Sequence, residues 1–190
     1  MSITQSQVTH HKREGYVIAP HFFDAREVKA LQAALQQLLD EGLLNNVATD
    51  GDGKTRSTTA INLQICPVGP HSELMQALPF CEKVRAAAQA LIGGDVVHQL
   101  DQIFLKPPHR GGGADWHQDN AYFKAPDPAQ GLGMWIALHD ATVANGTMHI
   151  VPRSHKKSYG HDRDPGSNHH IHCEIDEEKE TVVPAVMDAG

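Results

Sequence analysis

His117 and Asp119 are the residues whose types and spacing point most directly to chemistry. They stand two apart in the stretch ADWHQDNAYF, residues 114–123. On a strand, alternate side chains share a face, so the imidazole of His117 and the carboxylate of Asp119 are expected to converge while Gln118 points away. Such a pair supplies two of the three ligands of a facial 2-His-1-carboxylate site, an arrangement that leaves adjacent positions on Fe(II) open for a cosubstrate and O2. H-x-D alone is a short signal in a chain with fourteen histidines, and an isolated exposed pair is ordinarily solvated surface. Its setting has to decide.

The chain's 190 residues suit a single globular domain with a sizeable core. The formal net charge is −7, and basic residues cluster no further than pairs such as Lys12-Arg13 and Lys156-Lys157. Nucleic acid and anionic membranes are therefore not expected as partners. The N-terminal residues are polar and no apolar stretch reaches the length of a membrane span, which predicts a cytoplasmic protein. Cys66, Cys81 and Cys173 are odd in number and lack CxxC spacing, so reduced thiols are expected rather than a disulfide framework or zinc ribbon.

Two helices precede the H-x-D segment. Over 24–44, Val28, Leu31, Leu35, Leu38 and Leu39 recur at helical spacing, with Asp24 as N-cap, Glu27 completing a capping box and Gly42 as the stop. A second helical stretch runs from Ser72 to Gly93-Gly94, divided at Pro79, with Val84, Ala88, Leu91 and Ile92 on its buried face. Both read as packing helices. Residues 45–70, rich in Gly, Asp and Thr, read as a loop. There Arg56, Asn62 and Gln64 are either solvated or parts of a ligand lid.

The pattern then turns extended, at 96–106, around His117, at 131–139 and at 147–151, with Asn145-Gly146 as a turn signal before the last. Helices followed by short, turn-separated strands predict an antiparallel sandwich or jelly roll with helices packed outside one sheet.

At this point the chain resembles the phytanoyl-CoA dioxygenase family of Fe(II)- and 2-oxoglutarate-dependent oxygenases. The resemblance rests on Gly15-Tyr16-Val17-Ile18 before the Asp24 helix, the strand 102–108 ahead of Trp116-His117-Gln118-Asp119, Trp135 eighteen residues after His117, and the segment NGTMHIVPRSHK at 145–156. Arg153 stands where the family has glycine. The resemblance implies a mainly β double-stranded β-helix, or jelly roll, behind N-terminal helices. The whole chain, 1–190, would be one domain, helical over about 15–94 and jelly roll over about 95–190.

It also implies a dioxygenase that hydroxylates a small molecule, uses Fe(II) and 2-oxoglutarate, consumes O2 and releases succinate and CO2. A non-catalytic jelly-roll binding module and an inactive fragment of such an oxygenase are the alternatives. By resemblance His117 and Asp119 are metal ligands, with the second nitrogen of His117 held by a neighbouring acceptor. Gln102 and Trp135 are assigned to the cosubstrate and Tyr122 to the substrate entrance. Against these stand a solvent-facing Gln102, a core Trp135 and a core Tyr122. His149 and His155 read as structural.

The family's distal histidine and a basic residue follow an acidic-Gly turn whose counterpart is Asp188-Ala189-Gly190. The expectation is therefore a C-terminally incomplete domain, its last strands missing and its activity weak or absent unless a partner completes it. The alternative is that His161, His169, His170 or His172 supplies the third ligand.

Overall fold

The computed structural model describes residues 2–50, 54–125, 127, 130–162 and 171–190. The predicted 24–44 helix forms as α2, Ala25–Asp40. Asp24 Oδ1 accepts the N–H groups of Arg26 and Glu27, both at 2.9 Å, and the Glu27 carboxylate accepts the Asp24 N–H at 2.7 Å. These bonds satisfy donors that the first helical turn leaves without intrahelical partners. The apolar stripe Val28, Leu31, Leu35 and Leu38 is buried, Leu38 to 1% exposure. Burying one such side chain stabilises by about 1.5–3 kcal/mol.

The second helical stretch divides as its proline requires. Helix α3, Glu73–Ala77, is capped by the Ser72 hydroxyl, Pro79 falls in a 3-10 turn over Leu78–Phe80, and α4 spans Glu82–Ile92. Gly93 closes α4 at φ 88°, donating its N–H to Gln89, a left-handed end that glycine adopts without a Cβ clash. The buried face of α4 is Val84, Ala87 and Leu91. The expected Ala88 and Ile92 are half-buried beside it, so the face is turned slightly from the predicted one.

Helix α1, Gln5–Glu14, was not anticipated. It buries only Val8 and so offers no apolar period, but Thr4 and Gln7 form a capping box whose spacing was visible in the sequence.

The helices enclose a core of Phe22, Phe23, Val28, Leu31, Leu38, Ile65, Val68, Met75, Val84 and Ala87, with Ile103, Ile136 and Leu138 packed against it. One sheet lines this core. Strands β1 (Asn45–Asn46), β2 (Leu63–Ile65) and β3 (Ile103–Leu105) pair antiparallel, with Leu63 opposite Leu105 and Ile65 opposite Ile103. The 45–70 segment is thus not all loop, since it supplies two strands of the sheet. A second pair joins β4, His149–Ile150, to β5, Val183–Pro184.

Among the described residues, helix exceeds strand, and the mainly β composition expected from the sequence is not what the structure displays. The 96–106 run contributes only β3, 147–151 only β4, and 131–139 and the H-x-D segment are irregular. Alternation reports which side of a segment is apolar. A ladder also needs a neighbour in register, which periodicity does not encode.

Asn145-Gly146 closes a 3-10 turn over Val143–Asn145, capped by Thr142, with Gly146 at φ 84°. The three cysteines are free thiols. Among the described residues no helix is long and apolar enough to cross a membrane.

Candidate metal centre

The H-x-D segment is fixed from both sides. Upstream, Lys106 at the end of β3 donates to the Gly146 carbonyl at 3.1 Å, and the Gly112 N–H donates to Oδ1 of Asn62 at 3.1 Å. Asn62 is buried, so its amide serves the backbone and is not a solvated loop group. At the segment itself, the Trp116 carbonyl accepts the Cys173 N–H at 2.7 Å and the Trp116 indole donates to Glu177 at 2.8 Å. An open cavity of about 700 Å³ lies between residues 114–116 and 172–177.

His117 donates from Nδ1 to the Asp115 carbonyl at 2.7 Å. A carbonyl can only accept, so the proton sits on Nδ1 and the other ring nitrogen, Nε2, is turned to Asp119. Nε2 stands 3.5 Å from Asp119 Oδ1. The convergence expected of the pair is present, but it does not come from strand pleating. Asp119 has helical backbone angles, φ −52° and ψ −34°, at the head of the one-turn helix α5, Asn120–Phe123. The chain turns into α5 and brings the carboxylate round to the imidazole.

Gln118 points the other way, as expected. Its Nε2 donates to the carbonyls of Ser154 at 3.2 Å and Lys157 at 3.0 Å.

The two donors fit a shared cation. Donors each about 2.1 Å from one ion and at a right angle stand about 3 Å apart, so the 3.5 Å separation closes with small side-chain movement. One nitrogen and one carboxylate oxygen also suit Fe(II) chemically. The Asp119 carboxylate pushes the His117 imidazole above its ordinary pKa, helped by the Asp115 carbonyl and opposed by burial. A proton therefore competes for the position a metal would take.

The other predicted residues surround the pair unevenly. Tyr122, on α5, is half-buried and packs edge-on against the His117 ring, centroids 5.5 Å apart. Trp135 is 46% exposed and is not a core tryptophan. Its segment passes close to the pair at Gly133, where a Cβ would stand 3.1 Å from Asp119 Oδ2. Gln102 is exposed, and its Oε1 accepts from the Gln64 amide at 3.0 Å. His155 reaches the Lys12 carbonyl at 3.4 Å, and His149 lies in β4.

Of the histidines considered as a third ligand, His161 has both ring nitrogens engaged. Nε2 accepts the Gln118 N–H at 2.9 Å and Nδ1 donates to the Tyr159 carbonyl at 2.9 Å. The backbone of His172 pairs with Asp162. His169 and His170 lie outside the described residues. Among the described residues, no group of three or more His, Cys, Asp or Glu side chains is arranged to hold a metal ion, so the described centre is a pair.

Sequence reasoning had not placed the Asp115 carbonyl or Gly133 at this site, and it offered His161 only as an alternative third ligand. A backbone acceptor and a space-leaving glycine carry no residue-type signal, and His161 is one histidine among fourteen.

Comparison with known proteins finds relatives along most of the chain. The sequence profile of the phytanoyl-CoA dioxygenase (PhyH) family matches residues 11–190. Ectoine dioxygenase of Stutzerimonas stutzeri is 26% identical over 159 residues, covering 81% of this chain and 51% of that protein. Phytanoyl-CoA dioxygenase of Arabidopsis thaliana is 26% identical over 188 residues, covering 82% of this chain and 66% of that protein. The chain thus spans about half to two thirds of the length of these relatives.

Among solved structures, the non-heme α-ketoglutarate-dependent carbocyclase SnoK from nogalamycin biosynthesis superposes with a TM-score of 0.74 at 22% identity, over 99% of this chain and 72% of that one. EctD from S. alaskensis, solved with 2-oxoglutarate and 5-hydroxyectoine, gives a TM-score of 0.70 at 20% identity, over 99% of this chain and 65% of that one. The fold of these enzymes is therefore the fold of this chain. With the profile match running from residue 11 to residue 190, the chain belongs to the phytanoyl-CoA dioxygenase family.

Proposed function

We propose that this chain carries the metal-binding part of an Fe(II)- and 2-oxoglutarate-dependent dioxygenase that hydroxylates a small molecule, consuming O2 and releasing succinate and CO2, within a double-stranded β-helix. The single observation that carries the reading is the convergence of His117 Nε2 and Asp119 Oδ1 to 3.5 Å, with His117 held from behind by Asp115. The 2-oxoglutarate and the iron bound in structures of EctD from S. alaskensis support assigning the same groups here.

When bound, iron with 2-oxoglutarate would supply the oxidising chemistry. The chain's residues supply position and shelter. His117 offers Nε2 as a neutral ligand because the Asp115 carbonyl keeps the proton on Nδ1, and Asp119 offers the anionic oxygen beside it. Gly133 leaves the carboxylate room. Tyr122 covers the edge of the His117 ring and borders the side from which a substrate approaches, limiting water there. Gln102, its oxygen occupied by Gln64, keeps an amide N–H₂ to donate to a cosubstrate carboxylate. Trp135 offers an exposed apolar face two residues beyond Gly133.

The test is an anaerobic titration of the chain with Fe(II) and 2-oxoglutarate, watched for visible metal-to-ligand charge-transfer absorption. We expect a band that requires both additions and vanishes in His117→Ala and in Asp119→Ala. A folded chain that gives no band, or variants that keep it, favours a non-catalytic binding module instead.

A further inference from the structure

Gln118 sits between the two proposed ligands, and its side chain bonds to three groups of the segment 154–159. Its Nε2 donates to Ser154 and Lys157, and its Oε1 accepts the Tyr159 N–H at 3.4 Å. Its backbone N–H, which belongs to the peptide joining His117 to Gln118, donates to His161 Nε2 at 2.9 Å. The Tyr159 carbonyl can only accept, so His161 is protonated on Nδ1 and its Nε2 lone pair faces that amide.

This bond falls on one of the two peptides that join His117 to Asp119, and the plane of that peptide helps set the relative direction of the two side chains. The segment that makes these contacts is itself anchored. The Arg153 N–H donates to the Glu14 carbonyl at 2.6 Å, and Lys157 pairs with Glu180 at 2.6 Å.

The geometry points to His161 as a positioning residue, which with the Gln118 side chain clamps the His117–Asp119 pair at its metal-binding separation. This inference rests on reading those two residues as ligands. His161 does not serve as the third ligand in this arrangement. A cation on its Nε2 would have to displace the Gln118 N–H and leave that donor without a partner inside the clamp. Removing the acceptor frees the 117–118 peptide to rotate, and the two donors then no longer converge before metal arrives. Outer partners that orient metal ligands typically change affinity about 10–100-fold when lost.

Mn(II) binding, followed by the electron paramagnetic resonance of the free ion, tests this on the whole chain, with thermal melting run alongside. We expect His161→Leu to weaken Mn(II) binding about tenfold or more while its melting temperature stays near that of the unsubstituted protein. His161→Gln, whose Oε1 can take the place of Nε2 as acceptor, restores most of the binding.

Binding that His117→Ala abolishes but His161→Leu leaves unchanged overturns the clamp and spares the metal reading. Binding lost in His161→Leu and not restored by His161→Gln makes His161 a ligand and also overturns the clamp. An unsubstituted protein that takes up no Mn(II), or uptake that survives His117→Ala, overturns the metal reading and the clamp with it. If His161→Leu does not fold, His161→Asn replaces it, because its shorter amide stops short of the Gln118 N–H. Weaker binding than His161→Gln then supports the clamp, and equal binding overturns it.

Discussion

Helix α2 and the segment around His117 are built on opposite plans. In α2 each determinant is local: Asp24 caps the N–H groups of Arg26 and Glu27, Glu27 reaches back to Asp24, and the buried stripe repeats every three or four positions. Around His117 the contacts of the ring itself are near in sequence, with Asp115, Asp119 and Tyr122, but the ties that hold the segment in place are remote. Gly112 is held by Asn62, Trp116 by Cys173 and Glu177, Gln118 by residues 154–161, and the Asp119 carboxylate has room because residue 133 is glycine. The helical layer can therefore be read from short windows of sequence. The site has its chemistry written in residue types and its geometry written elsewhere in the chain.

That contrast can be broken by substitution, beginning with the largest effect. Leu38→Ala removes the most buried leucine of α2 and should cost about 2–5 kcal/mol of stability, measured by urea unfolding. Mn(II) affinity per folded molecule should not change, because Leu38 belongs to the core cluster under the helices, which includes neither His117 nor Asp119. A parallel fall in metal affinity would show that the two regions are not separable.

Asp24→Ala should cost about 1 kcal/mol by removing the cap, again without moving metal affinity. A loss near zero would mean that packing alone holds the start of α2.

Arg153 gives the smallest effect and sharpens the comparison from the site's side. It lies at φ 66°, ψ 4°, a left-handed conformation that costs an L-residue about 1–2 kcal/mol, and its guanidinium stands 3.5 Å from Glu14 with the arginine side chain 65% exposed. Glycine relieves that backbone cost but loses about 0.5–1 kcal/mol to its own flexibility, and the exposed pair contributes little. Arg153→Gly should accordingly change stability by less than about 1 kcal/mol, whereas Arg153→Val, β-branched in a left-handed position, should be clearly destabilising. A large loss in Arg153→Gly would mean that the side chain, and not the backbone bond to Glu14, anchors the 154–161 segment.

The same contrast governs what was legible. The capping box at Asp24, the break at Pro79 and the glycine end at Gly93 were readable because each is a short-range rule with a steric or hydrogen-bonding cause. The face of α4 was turned slightly, Ala87 in place of Ala88, because two adjacent alanines differ little in apolar signal and only packing chooses between them. The strands were the least legible. Residues 131–139 have the composition of a strand without forming a ladder among the described residues, and 45–70 reads as a loop yet supplies β1 and β2. Pairing partners lie far off in sequence, as Leu63 and Leu105 do.

At the site, Tyr122 packs edge-on against His117 as its nearness in sequence allowed, while Gln102 is tied to Gln64, a residue read as either solvated or part of a lid. Trp135, expected either at the cosubstrate or in the core, is exposed, and no periodicity argument could have decided between those outcomes.

The sequence by itself determined that an imidazole and a carboxylate stand two residues apart, that Gln118 separates them, and that the surrounding motifs belong to one oxygenase family, because residue type and spacing are local facts. Only the tertiary structure decided that the pair converges through a turn into α5 and not along a strand, that Asp115 fixes the His117 proton, and that His161 grips the peptide between them. Those outcomes depend on hydrogen bonds whose donors and acceptors lie on separate segments, or on carbonyls that every residue carries, and a linear reading cannot say which of many equivalent groups will meet.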